Sequence, residues 1–451
     1  MKNTNLVKLL ATGSIFYALF ANNTTNAQER EKPVLFGRTV EAVMSNGKIR
    51  CATTEYNEYL QRNPHLAEGE QIESEVVYQT LDANEIITIP VVVHVIHSGQ
   101  AIGVGRNISD AQVMSQITVL NQDYRRAQNT PGYNNDPVGA DTEIQFCLAQ
   151  RDPQGNATNG INRVNLGNTV WNEYNVETIL KPQTRWDPTK YLNIWVCQFG
   201  GDLNGTLGYA QFPIGTGLQG LGGTPTSALT DGVIIGYQYF GSSSLASGSY
   251  SAPYDKGRTT THEVGHWLGL RHIWGDNSSC SVNATDSLQD YCPDTPPQDG
   301  LNEYCNTNSY SCGSLDMVRN YMDYTNDACM NIFTQDQKTR MRTTMQNGVR
   351  RASLKTSNAC TPPTASTEDF GLGMISLYPN PTSDMLNIVV PDNYELSGNI
   401  TIYNTVGQQV YSNSIANTNL YSVNVSGFNS GVYFVKITKE NQTKTLQFIK
   451  K

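Results

Sequence analysis

The run HEVGHWLGLRH at positions 262–272 constrains this chain more than any other feature, since three of its six histidines fall inside eleven residues. His262 and His266 are four apart, so on a helix both imidazoles project from one face, about one turn from each other. Gly269 falls where that helix must stop, because glycine enters the left-handed conformation without a Cβ clash. The chain can then turn and bring His272 to the same point. Three imidazoles around one tetrahedral ion leave a fourth position for solvent, the donor set of a catalytic rather than a structural zinc. Glu263 stands beside them and reaches that water without being a ligand. The remaining histidines call for a blander reading. His94 and His97, three apart on a strand, face opposite sides, and His65 lies in the leader.

The N-terminus reads as an export signal. Lys2 and Lys8 precede a dozen mostly apolar residues at 9–20, and Thr25, Asn26 and Ala27 supply a small-residue cleavage site. This signal peptide, 1–27, is too short to remain as a membrane anchor, and no later segment is long and apolar enough to span a bilayer. A net charge of −9 excludes nucleic acid or an anionic membrane as the main partner. Nine cysteines suit an exported protein, with eight between Cys147 and Cys360 and Cys51 alone upstream. Eight can close four bridges, which leaves Cys51 as the odd thiol.

Residues 28–75 are rich in Glu, Lys, Arg and Asn and read as a loosely structured leader, a pro-peptide in front of a catalytic domain at 76–360. That domain opens with a β-branched strand at 86–96. Ser109 and Gln112 then cap a helix carrying Val113, Ile117, Leu120 and Tyr124 at helical spacing. Further strands are expected at 142–149, 191–199 and 232–240, and helices at 260–270 and 334–345, the latter capped by Thr334 and Gln337. Between those helices, 275–323 is an aperiodic stretch with four cysteines, a loop to be pinned by cross-links and ions. Cys147 and Cys197, both on expected strands, are a plausible pair. A linker at 361–373 leads to residues 374–451, where strands alternate in period two at 386–390, 400–403, 421–425 and 432–437. Turns at 397–399, 429–431 and 440–442 complete the pattern of a small β-sandwich.

HEVGHWLGLRHIWGD resembles the pappalysin family of metzincin metalloproteases, in particular its bacterial cytophagalysin and ulilysin-like branch. NYMDY at 320–324 is similar to that family's Met-turn. The resemblance implies an α+β fold, a metzincin-type zinc protease domain with a mixed twisted sheet and an active-site helix, followed by the all-β sandwich. It implies one catalytic zinc on His262, His266 and His272, Glu263 as general base, Met322 as the floor beneath the metal and Tyr324 as oxyanion stabiliser. Cys51 resembles the cysteine-switch residue of the family's pro-peptides, although Ala52 stands where the family usually has glycine. The loop at 286–297 is similar to a calcium-binding loop, with Asp290 and Thr295 as oxygen ligands for a structural calcium ion. The resemblance also favours the bridges Cys280–Cys312 and Cys305–Cys329, with Cys280–Cys292 as a competitor. Relatives that prefer Arg or Lys after the scissile bond make Asp323 or Asp327 a possible counter-charge.

The tail motif LYPNPTS at 377–383, with Tyr403, Gly407, Gly431, Tyr433 and the terminal Lys450 and Lys451, resembles C-terminal sorting domains of the type IX secretion system. Together these readings describe a secreted zinc metalloendopeptidase made as a zymogen, its substrates proteins or peptides and its own pro-peptide an intramolecular inhibitor. The alternatives are an inactive secreted zinc-binding adhesin and a carbohydrate-binding protein.

Overall fold

The computed structural model describes residues 32–67, 85–221, 226–276, 279–280, 290–363, 375–390, 396–439 and 442–451. The export signal, part of the loop at 286–297 and most of the linker lie outside them.

A short antiparallel pair, β1 (Val34–Leu35) and β2 (Arg38–Thr39), precedes helix α1 (Thr53–Arg62). This N-terminal segment is not the loose leader its composition suggested. Leu35, Phe36, Val40, Ile49, Tyr56 and Leu60 are buried, and they share a core with Trp171, Val176, Leu180, Trp195, Phe199 and Tyr209. Apolar residues so dispersed along the chain give no periodic signal, because their partners belong to another part of the molecule.

The main sheet contains β3 (Ile87–His97), β4 (Ile144–Leu148), β5 (Ile161–Asn165), β6 (Leu192–Cys197), β7 (Gly208–Ala210) and β8 (Val233–Gly236). Its order is β4-β3-β6-β8-β7, with β5 following β4 along one edge of β3. Strand β3 is buried along nearly all its length, as a central strand covered on both faces must be. Every pairing is parallel except that of β7, which runs antiparallel to β8 and closes one edge. His94 on β3 is a satisfied core residue, held between Asn193 and Asn162 at 2.9 Å each.

Helix α2 (Asp110–Tyr124) is capped by the Ser109 side chain and covers one face of the sheet. On the other face lie α3 (Glu173–Asn175), a π turn at Val176–Leu180 and α4 (Lys181–Thr184). Helix α5 (Arg258–Trp267) is buried at every position. Its first turn is tied to α2, where Asp123 accepts from Arg258 at 3.0 Å and from Thr261 at 2.7 Å. Helix α6 (Gln335–Asn347) begins with the expected Thr334–Gln337 capping box.

Three bridges form: Cys147–Cys360, Cys280–Cys312 and Cys305–Cys329. The expected Cys147–Cys197 pair does not. Those residues sit on β4 and β6 with β3 between them, two strand spacings or roughly 9.5 Å apart sideways, and the register, with Cys147 opposite Pro90 and Val196 opposite Val95, sets them about 20 Å apart along the strands as well, beyond disulfide reach. Cys51, Cys197 and Cys292 are free and buried, so the count is three bridges rather than four.

A short antiparallel pair, β9 (Tyr310–Ser311) and β10 (Ser314–Leu315), lies between α5 and α6, and the C-terminal region holds two sheets. One has the order β11 (Ser376–Tyr378), β12 (Met385–Val389), β15 (Leu420–Asn424). The other has β14 (Gln409–Thr418), β13 (Leu396–Asn404), β16 (Gly431–Lys439), β17 (Gln442–Lys450). They enclose Leu386, Ile388, Ile400, Ile402, Val435 and Phe448. Residues 397–399, read as a turn, lie inside β13 at an irregularity in its register, where Gly398 has φ +129°.

Candidate active site

Helix α5 sets His262 and His266 one turn apart, and the helix ends at Leu268. Gly269, at φ +90°, turns the chain sharply; a Cβ there would meet Thr344 at 2.6 Å. His272 then arrives opposite the other two. The three Nε2 atoms form a nearly equilateral triangle with edges of 3.1, 3.1 and 3.2 Å. Zinc–nitrogen bonds of about 2.0–2.1 Å at tetrahedral angles would separate the nitrogens by roughly 3.3 Å, so the set fits one such ion. The Cys51 sulfur completes the group, with all four donor atoms within 4.8 Å of one another.

The outer nitrogens explain why the inner ones converge. Nδ1 of His262 donates to the Tyr321 carbonyl at 2.7 Å, and Nδ1 of His266 to the Leu270 carbonyl at 2.8 Å. Nδ1 of His272 is bonded to the Asp276 carboxylate, the one side-chain partner of the three. Each bond puts the ring proton outside and leaves the Nε2 lone pair facing inward, ready for a metal. Burial, then repulsion from the neighbouring rings, pushes the pKa of His262 and His266 well down, which keeps both imidazoles neutral. Trp274 stacks on His272 at 4.5 Å with only 6° between the planes.

Glu263 is buried next to this cluster. Its Oε2 accepts from Thr53 Oγ1 at 2.9 Å and lies 3.3 Å from the Cys51 sulfur. Burial pushes its carboxyl up to about 8, against the pull of those two neighbours. The Tyr324 ring packs 5.0 Å from His272 and 5.7 Å from His262, and its hydroxyl donates to the Cys51 carbonyl at 3.3 Å. Met322 lies under α5, so close that a Cβ on Gly265 would stand 2.5 Å from its sulfur. That contact explains why glycine occupies the position before His266.

The segment around Cys51 follows the sheet edge. Leu207 N donates to Ile49 O at 2.9 Å, Ala52 N to Gly208 O at 3.1 Å, and Ala210 N to Thr53 Oγ1 at 2.9 Å. Next to Cys51, the fully buried Arg50 forms an ion pair with Asp327 at 3.0 Å. The other oxygen of Asp327 accepts from the backbone of Lys256 at 2.9 Å and of Arg258 at 3.1 Å, at the start of α5. Asp323 is already occupied, accepting from Asn302 and Tyr324 backbones at 2.8 Å each and from Gln298 at 3.2 Å. Asp290 and Thr295 also meet, the threonine hydroxyl donating to the carboxylate at 2.8 Å. Sequence reasoning missed Arg50, Thr53, Asp276 and Trp274. Only Asp276 had a local signal, four residues after a histidine.

Residues 175–346 match the family model described as pregnancy-associated plasma protein-A, a peptidase family, and residues 376–451 match the secretion system C-terminal sorting domain. Extracellular metalloprotease 1 of Coccidioides posadasii (strain C735) is 32% identical over 314 residues, covering 68% of this chain and 94% of the fungal protein. The extracellular metalloprotease of Arthroderma otae is 32% identical over 265 residues, covering 58% and 79%. Mature mirolysin of Tannerella forsythia, solved in complex with a cleaved peptide, aligns at a TM-score of 0.50 and 43% identity, covering 62% of this chain and 99% of that one. The chain therefore belongs to the pregnancy-associated plasma protein-A (pappalysin) family: it is a secreted zinc metalloendopeptidase of metzincin-type α+β fold, carrying a type IX secretion sorting domain.

Proposed function

We propose that His262, His266 and His272 hold the catalytic zinc, that Glu263 is the general base, and that residues 28–75 form a pro-segment whose Cys51 keeps the enzyme latent. The convergence of three inward Nε2 lone pairs and one sulfur on a single point carries this reading. Zinc, when bound, supplies Lewis acidity toward a peptide carbonyl and makes water acidic enough to ionise near neutral pH. Glu263 takes the proton of the attacking water and passes it to the departing amine. Tyr324 donates to the oxyanion; its present bond to the Cys51 carbonyl supports that role. Met322 supports the histidines from below, and Asp276 holds His272 in orientation.

Latency acts on two groups at once. Cys51 fills the position that water needs, and the Thr53 hydroxyl occupies the carboxylate that would deprotonate it. The Arg50–Asp327 pair supports a further point: Asp327 is the counter-charge for a basic side chain after the scissile bond, since Asp323 is committed elsewhere. The facing oxygens of Asp290 and Thr295 suit a hard cation, so a structural calcium is assigned there, to be tested by the dependence of melting temperature on calcium.

Measuring the metal content of the processed enzyme and its digestion of casein with and without chelator tests the central claim. One zinc per chain and loss of activity on chelation are expected. Undiminished activity in a metal-free preparation would overturn it.

A further inference from the structure

The pro-segment does more than cross the zinc. One helical turn after Thr53, Tyr56 leaves the cleft and enters a pocket on the other side of β7. Its ring lies 5.1 Å from that of Tyr209 and 4.7 Å from the Lys181 ammonium. Its hydroxyl donates to Glu177 Oε2 at 2.6 Å, with Thr230 Oγ1 at 3.1 Å and Gln211 Oε1 at 3.4 Å.

The catalytic domain itself builds this floor. Tyr209 donates to the other carboxylate oxygen of Glu177 at 2.7 Å, and Lys181 pairs with that same oxygen at 2.6 Å. Thr230 in turn donates to Gln211 at 2.8 Å. Glu177 is thus held by its own domain through Oε1 and presents Oε2 to whatever occupies the pocket. Lys181, Tyr209 and Gln211 are fully buried, and Thr230 nearly so. A pocket meant only to pack a pro-segment ring would need no such floor, since phenylalanine would fill it. A fixed carboxylate beneath an aromatic slot with a cation at its wall distinguishes a phenol from a plain ring, because without the hydroxyl the Oε2 atom of Glu177 loses its hydrogen bond while withdrawn from water.

Resting on the peptidase reading above, we propose that release of the pro-segment uncovers a substrate subsite for a tyrosine side chain, formed by Glu177, Lys181, Tyr209, Gln211 and Thr230. The position is within a substrate's reach. Tyr209 sits between Gly208 and Ala210, which bond Ala52 and Thr53, the two residues after Cys51 at the zinc cluster. Tyr56 follows Thr53, which touches Glu263, by only about 5 Å of helix rise, or roughly two residues of extended chain.

The test uses enzyme freed of its pro-segment and a set of peptides sharing one scissile bond. Tyrosine is moved through about four positions on each side, and each peptide is paired with its phenylalanine counterpart. At one position kcat/KM is expected to favour tyrosine by about tenfold or more, the worth of one charge-assisted hydrogen bond. Glu177→Gln, which keeps the shape of the side chain and removes its charge, should bring that ratio toward one. Peptides that are all cut, with tyrosine and phenylalanine within about twofold everywhere, would overturn the subsite and leave the peptidase intact. No cleavage of any peptide would overturn both.

Discussion

Arg50 and Asp327, 277 residues apart, form an ion pair buried on both sides at 3.0 Å. A charge pair withdrawn from water this completely is costly to break from one side, since the survivor remains buried and unpaired. On the proposed function, release of the pro-segment would leave the Asp327 oxygen that Arg50 holds free for another cation. Asp327→Asn is expected to lower cleavage before Arg relative to cleavage before Leu by tenfold or more, about 1.5–3 kcal/mol. Peptide profiling that finds the same preference in the variant would remove Asp327 from the specificity pocket.

Glu263→Gln should keep zinc at one per chain while kcat falls by about 10²–10⁴. Atomic absorption and single-turnover hydrolysis measure the two halves separately. A variant with near-native turnover would show that some other group moves the proton.

Cys51→Ala removes the fourth donor but leaves Arg50, Thr53 and the buried apolar contacts of the segment in place. The uncut chain should lose its pro-segment sooner, by about tenfold in rate, taking one lost metal ligand as about 1.4 kcal/mol at the least. Gels over time, run beside the unmodified zymogen, follow this. Identical latency would mean that the sulfur has no part in it.

Asp276→Asn preserves shape but removes the negative charge behind His272. Zinc affinity, read by chelator competition, is expected to drop by about 10–100-fold. Equal affinity in both proteins would reduce the contact to simple packing.

Asp231 gives an acid-sensitive test. Burial alone would raise its carboxyl, but Arg351 and Arg350 outweigh burial and hold it at about 2. The unfolded value is about 3.9. A depressed native pKa stabilises the fold above the unfolded pKa, and that contribution is lost as pH falls through the native one. Melting temperature should therefore decline between about pH 4 and pH 2, and Asp231→Asn should flatten part of the decline. Parallel curves for both proteins would contradict this.

The zinc helix was legible because histidine spacing, the flanking glutamate and the terminal glycine all act within a few turns of chain. Strand β3 and the capped helices were legible for the same local reason. What stayed hidden depends on distant partners. Strand β7 has three residues and no alternation, and its role comes from β8 beside it. Cys147 and Cys197 looked alike in sequence, and only the insertion of β3 between their strands separates them. Arg50 is an ordinary charge until the fold brings Asp327 to it.

Seven of the seventeen buried residues in the second core, from Leu35 to Leu60, belong to the segment proposed above as the pro-segment. A gene lacking that part would ask the other ten to collapse around a hollow. In the proposed zymogen, packing and restraint are therefore carried by neighbouring side chains of one segment, the apolar seven for the core and Cys51 and Thr53 for the cleft. A change among those seven apolar residues would loosen the restraint and the core together, whereas Cys51→Ala would loosen the restraint alone.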